Sequence, residues 1–307
     1  MSNDNNDLQY SMREMVSLID KLRDAGLDQY VELPRIAVLG EQSSGKSSLL
    51  ETICGLNFLP RGTGIVTRRP LELRMIKTMT KHPYFMFPKD YPKEKYFKDE
   101  QVKKMIVDLT NKEARGKRIS DKPIYLECYS EDVPDLTVID LPGITKFTTG
   151  NEVKDIYEQT TSLVRKYCDN DNTLILVVVP ANSEIQNSEA LTFAKELDPN
   201  GDRCLGVLTK IDIMDEGTDA KEMILNKIIP LKYGYIGVKG RSQQQIMDKV
   251  TVQQAKKQET QFFSHHVVYS TMPYQLFGTQ NLIKKGSEIL LSMIQKGLPR
   301  IKREVQK

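Results

Sequence analysis

Residues 40–47 read Gly-Glu-Gln-Ser-Ser-Gly-Lys-Ser, which matches the pattern G-x-x-x-x-G-K-[ST] of a phosphate-binding loop. The apolar run Ile-Ala-Val-Leu at 36–39 precedes this loop, and the residues that follow it, 47–53, favour a helix. Such a loop holds phosphate because successive N–H groups and a helix N-terminus face the anion. The alternative, a simple glycine and serine turn into a helix, leaves Lys46 without a role. The stretch therefore predicts a P-loop fold of the α/β class.

The side chains of this loop have distinct expected roles. Lys46 is expected to reach the β- and γ-phosphates, and the Ser47 hydroxyl to bind Mg²⁺. Gln42 is placed to orient an attacking water, and Ser43 to bring an oxygen near the β–γ bridge, where charge builds up in the transition state. Alternatively, Gln42 and Ser43 only fill the loop. Further contacts to the phosphates are expected from Ser44, Gly45 and Ser48.

Composition sets broad limits. The chain has 307 residues, 39% hydrophobic and 28% charged, with a formal net charge of +3, so we expect a sizeable core and no nucleic-acid partner. The four cysteines are widely spaced beside apolar residues, which predicts buried free thiols in a reducing compartment. No apolar stretch approaches the ~18 residues of a membrane-spanning helix. The polar N-terminus is unlike a signal peptide. We therefore expect a cytoplasmic protein, with any membrane association peripheral.

Apolar β-branched runs alternate with helical patterns, which predicts a doubly wound, mostly parallel sheet flanked by helices. The expected strands are 36–39, 71–77, 124–129, 136–139, 173–179, 204–208 and 235–238. The expected helices are 8–29, 47–53, 99–109, 151–168, 188–197, 219–229, 249–263, 279–296 and one that starts at Leu298. Residues 56–70 are expected to form a mobile loop, and 83–122 a charged surface insertion.

A second motif, Asp140-Leu-Pro-Gly143, follows the apolar strand at 136–139. A D-x-x-G at a strand end suits an aspartate that binds Mg²⁺ through water and a Gly143 N–H on the γ-phosphate. The alternative for Asp140 is a helix N-cap. Many GTPases have a water-orienting glutamine after this motif, but here Ile144 and Thr145 follow. Gln42 is therefore the candidate for that role, and Thr67 is expected to bind Mg²⁺ by its hydroxyl and hold the water by its carbonyl.

A third motif, Thr209-Lys-Ile-Asp212, follows the strand at 204–208 and has the pattern [NT]-K-x-D. The carboxylate of Asp212 can accept hydrogen bonds from the N1–H and 2-amino groups of guanine, whereas adenine offers neither donor there. A site that buries such a carboxylate rejects the wrong base. The aliphatic stem of Lys210 can lie along the base. The alternative is a β–α turn with an N-capping aspartate. The order of the three motifs favours GTP over ATP.

These motifs resemble the GTPase domain of the dynamin superfamily. The residues that carry the resemblance are 40–48, 59–70, 140–146, 180–183 and 209–219, and it extends over about 8–307. It implies Mg²⁺-dependent hydrolysis of GTP to GDP and phosphate by an extended G domain at 31–297. It also implies that 1–30 and 298–307 supply two helices of a partial bundle.

The resemblance also implies further site residues. Gln42 and Thr67 would hold the attacking water, while Ser43, Gly62 and Gly64 would bind K⁺ or Na⁺ in place of an arginine finger. Glu184 falls where the family has an acidic residue that acts across a dimer, and it is one methylene longer than the usual Asp. The remaining nucleotide-binding residues would be Arg61, Thr209, Asp215, Lys239, Gly240, Arg241 and Gln243. Gly240 departs from the family, which usually has Asn there.

The implied partners follow from the same resemblance. Two GTPase domains would pair over their nucleotides and stimulate hydrolysis, and full-length members would assemble through a stalk and remodel or divide membranes. Contacts with lipids would come from domains outside this chain, and microtubules or adaptors are further candidates. Three alternatives remain: a regulatory switch that needs an arginine from an activating protein, a GTP-binding scaffold with little chemistry, and an antiviral self-assembling protein of the Mx type.

Overall fold

The computed structural model describes residues 34–61, 67–114, 119–144 and 152–305, and a few positions between Glu14 and Gly26. The helix predicted at 8–29 therefore lies almost entirely outside the described residues, as do Gly62, Gly64 and Thr145. Of that predicted helix, Leu22 packs against the hydrophobic core.

A nine-stranded sheet forms the centre of the fold. Its strands are β1 (Arg35–Gly40), β2 (Leu71–Lys77), β3 (Tyr84–Phe87), β4 (Tyr91–Tyr96), β5 (Ile124–Ser130), β6 (Leu136–Asp140), β7 (Thr173–Pro180), β8 (Cys204–Thr209) and β9 (Tyr235–Gly237). They lie in the order β4-β3-β5-β2-β6-β1-β7-β8-β9. The run from β6 to β9 is parallel, as is the pair β2 and β5. The pairs β2–β6, β3–β4 and β3–β5 are antiparallel. The predicted mostly parallel sheet is confirmed.

Helices cover both faces of the sheet. They are α1 (Lys46–Cys54), α2 (Asp99–Glu113), α3 (Glu152–Cys168), α4 (Glu189–Leu197), α5 (Lys221–Ile224), α6 (Gln243–Met247), α7 (Val252–His265) and α8 (Thr279–Val305). Side chains alternate along β1, so Ile36 and Val38 join a core with α1, α2 and α8, while Ala37 and Leu39 join a second core with α3 and α4. This two-sided burial explains the continuous apolar run that precedes the phosphate-binding loop.

The segment 83–122 is more than the predicted surface insertion. It adds β3 and β4 to the edge of the sheet, and it buries Phe85, Phe87 and Tyr96 in the core beside α2. The alternating pattern in Tyr-Phe-Met-Phe at 84–87 is only four residues long, and neighbouring lysines and prolines hide it. The charged residues at 93–95 of β4 do lie exposed.

One helix prediction is wrong in its bounds, and one short helix was not predicted. The helix expected at 219–229 is limited to α5, because Asn226 adopts a left-handed backbone with φ 63° and its side chain bonds the backbone of Leu231. No sequence pattern predicted α6, which starts with a capping box formed by Ser242 and Gln245.

The two helices expected at 279–296 and from Leu298 form the single helix α8, which contains Pro299. A proline removes one helical hydrogen bond but does not oblige the helix to end when its apolar face continues. That face does continue, since Ile294 is buried in the core and Leu298 packs against it. No helix in the described part of the chain combines the length and apolarity needed to cross a bilayer.

Gly206 on β8 tests the close packing of β8 against β9. A Cβ atom added there would lie 2.1 Å from Cδ1 of Tyr235, whose ring is buried. We expect Gly206→Ala to lower the free energy of unfolding by about 1–3 kcal/mol, because ring and strand must shift to relieve the overlap. Denaturant unfolding measures this change. Gly286→Ala in α8 is the control, since its added methyl meets nothing within 4 Å and should be neutral or stabilising. Equal stability of both variants would contradict the packing argument.

Candidate nucleotide-binding site

A cavity of about 740 Å³ opens where several parallel strands end. Five segments line it: the phosphate-binding loop after β1, the segment between α1 and β2, and the loops after β6, β8 and β9. The lining residues include 42–48, Arg61, Thr67, Gly143, Lys210, Asp212 and 240–243. The three sequence motifs, far apart in the chain, are thus brought together at one edge of the sheet, where α/β folds bind ligands.

The phosphate-binding loop winds tightly around the amino group of Lys46. Its Nζ donates to the carbonyl oxygens of Gly40 and Glu41, each at 3.1 Å. Burial lowers the pKa of Lys46, although Asp140 and Glu41 oppose this shift. Gly45 has a φ of 100°, a left-handed conformation that favours glycine, and α1 begins directly after it. The loop therefore presents a cation and a helix N-terminus to the cavity.

Two contacts from neighbouring elements support the loop. The Thr209 hydroxyl, buried at the end of β8, donates to the carbonyl oxygen of Ser44 at 2.5 Å. Glu41 accepts from the hydroxyl of Ser188 at 3.1 Å and from the N–H of Glu189 at 2.8 Å, at the start of α4. Thr209, predicted as a nucleotide contact, thus lies beneath the loop and positions it instead of lining the cavity.

The candidate metal site centres on Asp140, which is almost fully buried. Burial raises the pKa of Asp140 to about 6, against the opposing effects of nearby Lys46 and a hydrogen bond from Thr67. Its Oδ1 atom is buried without a hydrogen-bond partner. Ser47 and Thr67 border the same small recess. An unsatisfied carboxylate oxygen beside two hydroxyls fits a hard cation such as Mg²⁺.

The guanine-reading candidate Asp212 forms an ion pair with Lys239. Lys239 Nζ lies 3.1 Å from Asp212 Oδ2, and about 15% of each side chain is exposed. The backbone N–H of Lys239 donates to the buried carboxylate of Glu259 on α7 at 2.9 Å. Glu259 also accepts from the N–H and hydroxyl of Thr279, the first residue of α8. A hydrogen bond therefore fixes the backbone of Lys239, while its side chain forms the ion pair with Asp212.

Several other predicted residues have distinct positions. Gly240 lines the cavity, and a Cβ added there would lie 3.6 Å from Ser48 Cβ, so a methyl group would fit at this position. Asp215 is exposed, lies outside the lining and closes a turn with Thr218. Glu184 is also exposed, and its carboxylate accepts from Asn187. Arg241 and Gln243 line the cavity together with Arg61.

The motifs did not reveal three buried or half-buried carboxylates, Glu41, Glu51 and Glu259, which hold the walls of the cavity. The carboxylate of Glu51 forms ion pairs with both Arg61 and Arg241. A glutamate inside a helix, as in Glu51 and Glu259, ordinarily faces solvent. No local pattern in a single sequence distinguishes these residues from exposed ones.

Comparison with known proteins agrees with this geometry. A family model described as the Dynamin family matches residues 36–211, and one described as the Dynamin central region matches 219–307. The chain is 44% identical to Dynamin-2 of Homo sapiens over 301 residues, which cover 96% of the chain and 34% of that protein. Dynamin of Drosophila melanogaster and Dynamin-3 of Homo sapiens are each 42% identical over the same shares. The chain thus spans about a third of the length of these curated relatives.

The raised pKa of Asp140 predicts a pH-dependent metal affinity. Above pH 6 its carboxyl is ionised and can bind Mg²⁺, whereas below pH 6 the proton competes with the metal. Between pH 7.5 and pH 5 we expect the Mg²⁺ affinity of the nucleotide-loaded protein to fall about tenfold. Calorimetric Mg²⁺ titration measures it, with the free nucleotide titrated at each pH to subtract its own protonation. Ser47→Ala should weaken binding at every pH alike, and a flat profile for the parent chain would contradict the assignment.

Proposed function

Because the chain belongs to the dynamin family, a family of GTPases, we propose that its cavity binds GTP and hydrolyses it to GDP and phosphate. The observation that carries the proposal is the meeting, in one cavity, of the phosphate-binding loop with Asp212. The cavity is large enough for a nucleotide, and its two ends offer a cation with backbone N–H groups and a carboxylate for the base.

At the phosphate end, Lys46 and the N–H groups of the loop bind the β- and γ-phosphates. Mg²⁺ would be held by Ser47, Thr67 and Asp140, and when bound it neutralises charge on the phosphate oxygens. Gln42 and the carbonyl of Thr67 orient a water toward the γ-phosphorus. The water forms a new P–O bond while the bond to the β–γ bridging oxygen breaks, so GDP and phosphate leave. The N–H of Gly143 holds the γ-phosphate.

The usual water-orienting glutamine is absent after the D-x-x-G motif. Ile144 occupies that place, is buried, and exchanges backbone hydrogen bonds with Gln42 and Gly40. Gln42 is therefore anchored by its backbone while its side chain is exposed at the mouth of the cavity. This exposure supports the proposal that a second copy of the domain covers the mouth and fixes Gln42, with Glu184 acting across the interface. A K⁺ or Na⁺ ion at Ser43, Gly62 and Gly64 would supply the positive charge.

At the base end, Asp212 accepts hydrogen bonds from guanine N1–H and the 2-amino group. Lys239 holds the carboxylate of Asp212 in place, since its Nζ lies 3.1 Å from Asp212 Oδ2. Lys210 lies along the base with its aliphatic stem. Gly240 offers its backbone instead of the side chain that the family usually has there.

For a protein of the relatives' full length, we propose self-assembly on membranes and membrane remodelling driven by this GTPase cycle. The protein would be cytoplasmic and peripherally associated with membranes. Lipid contacts, and any contacts with microtubules or adaptors, would come from segments beyond this chain.

Asp212→Asn tests the reading of the base. We expect its affinity for GTP to fall at least about a hundredfold, because the amide cannot accept from both guanine donors, and its affinity for xanthosine triphosphate to rise. Fluorescence titration with labelled nucleotides measures both affinities. Asp202→Asn is the matched control, since Asp202 is paired with Lys232 on the surface. Unchanged GTP affinity in Asp212→Asn would refute the base-reading role.

The dimer and cation proposals predict how activity depends on conditions. Specific GTPase activity in K⁺ buffer should rise with protein concentration, because pairing completes the site, and Cs⁺ should lower it because the larger ion does not fit. Phosphate release over a hundredfold range of protein concentration measures this. Activity that is flat with concentration and indifferent to the cation would leave GTP hydrolysis intact but remove the self-stimulated mechanism.

A further inference from the structure

The strongest feature outside the proposed chemistry is the carboxylate of Glu51, which lies on α1 and has no solvent exposure. Its Oε1 accepts the backbone N–H of Leu59 at 3.0 Å. Its Oε2 pairs with the guanidinium of Arg61 and, at 3.2 Å, with that of Arg241. Burying a carboxylate is costly unless it is paired and hydrogen-bonded. Glu51 meets this condition with three donors.

The two arginines come from distant parts of the chain and both line the cavity. Arg61 precedes β2, and 27% of its side chain is exposed. Arg241 follows β9, and only 5% of its side chain is exposed. Both make further contacts: Arg61 lies 3.4 Å from the Ser48 hydroxyl, while Arg241 donates to the Val250 carbonyl at 3.3 Å and lies 3.4 Å from the side-chain amide of Asn57. Glu51 is thus the point where two loops of the cavity wall meet.

Charge explains why a carboxylate is needed at this point. Two guanidinium groups on one side of a cavity repel each other. Burial lowers the pKa of Arg241, and the charge of Arg61 adds to this effect, while Glu51 and the more distant Asp99 oppose it. Without Glu51, two cations would face each other with little compensation, and the more exposed Arg61 would be free to turn away.

The position of Glu51 on α1 links the two arginines to the phosphate-binding loop, which leads into the same helix. Lys46 and Ser48 lie five and three residues earlier on the same helix, so the helix proposed to hold the phosphates also carries the carboxylate that anchors both arginines. We propose that Glu51 is a positioning residue for the nucleotide, which holds Arg61 and Arg241 in the cavity wall at a fixed place relative to the phosphate-binding loop. This inference rests on the proposed function, and it identifies a residue that touches no substrate itself.

The proposal predicts a separation of binding from chemistry. In Glu51→Gln the Kd for GDP and the KM for GTP should rise about tenfold or more, because the wall is displaced, while kcat at saturating GTP stays within about twofold. We expect the water-orienting groups Gln42 and Thr67 to keep their places, because neither is one of the three donors to Glu51. A purely structural role would lower the melting temperature and the fraction of active protein without changing KM.

Further variants make the test independent of folding. Glu51→Asp keeps the buried charge but is one methylene shorter and cannot reach all three donors, so its KM should also rise. The double variant Glu51→Gln with Arg241→Gln leaves no unpaired buried charge at Arg241, and it should bind no more weakly than the weaker single variant, because both act through one contact. Glu127→Gln is the matched control, since its partner Arg74 lies 3.4 Å away across β2 and β5, and its KM should not change.

The measurements are GDP titration, steady-state GTP hydrolysis and thermal unfolding of each variant. A parental KM in folded Glu51→Gln or Glu51→Asp, or additive losses in the double variant, would overturn the positioning role. If the parent chain neither binds nor hydrolyses GTP, the proposed function fails instead. The two failures are therefore distinguishable.

Discussion

The hydrogen bonds that fix the phosphate-binding loop are the constraint on which the rest of the site depends. Lys46 closes the loop from within by donating to its own backbone, and Thr209 supports it from below. Glu41 ties the loop to the start of α4. Because these contacts come from β8 and α4 as well as from the loop, the shape of the loop is supported by the packed parallel half of the sheet. Phosphate binding is thus a property of the packed sheet as well as of eight consecutive residues.

Buried carboxylates divide into two kinds around the cavity, and the difference follows from their partners. Glu51 and Glu259 are satisfied by several donors within the protein, so they fix walls and loops. Asp140 has one buried oxygen without a hydrogen-bond partner, and its pKa is raised, so this oxygen is available to a ligand such as a metal ion. A buried carboxylate with a full set of hydrogen-bond partners within the protein indicates a structural role, whereas an incomplete set indicates a ligand-binding site.

The parts of the fold and site that could be predicted are those written in consecutive residues. The apolar runs at 36–39 and 173–179 are central strands because both faces of a parallel sheet are covered, and each of the three motifs lies within a single loop. The strands β3 and β4 were not predicted, because their alternation of apolar and polar residues is short and lies among lysines and prolines. The contact between Glu51 and Arg241 could not be predicted, because the two residues are 190 positions apart and no local pattern at either residue indicates its partner.

At the end of the cavity that is proposed to read the base, Gly240 stands where the resemblance implies Asn, and Lys239 directly precedes it. Gly240 removes a side chain from the wall, which would weaken a site that relied on it. Lys239, immediately before it, puts a cation on Asp212 and is itself held by Glu259 through its backbone. The ion pair thereby holds the carboxylate in one position before a base would arrive, so less ordering would remain on binding. A preorganised carboxylate is a physically consistent way to recognise guanine, as proposed, without a side chain at position 240.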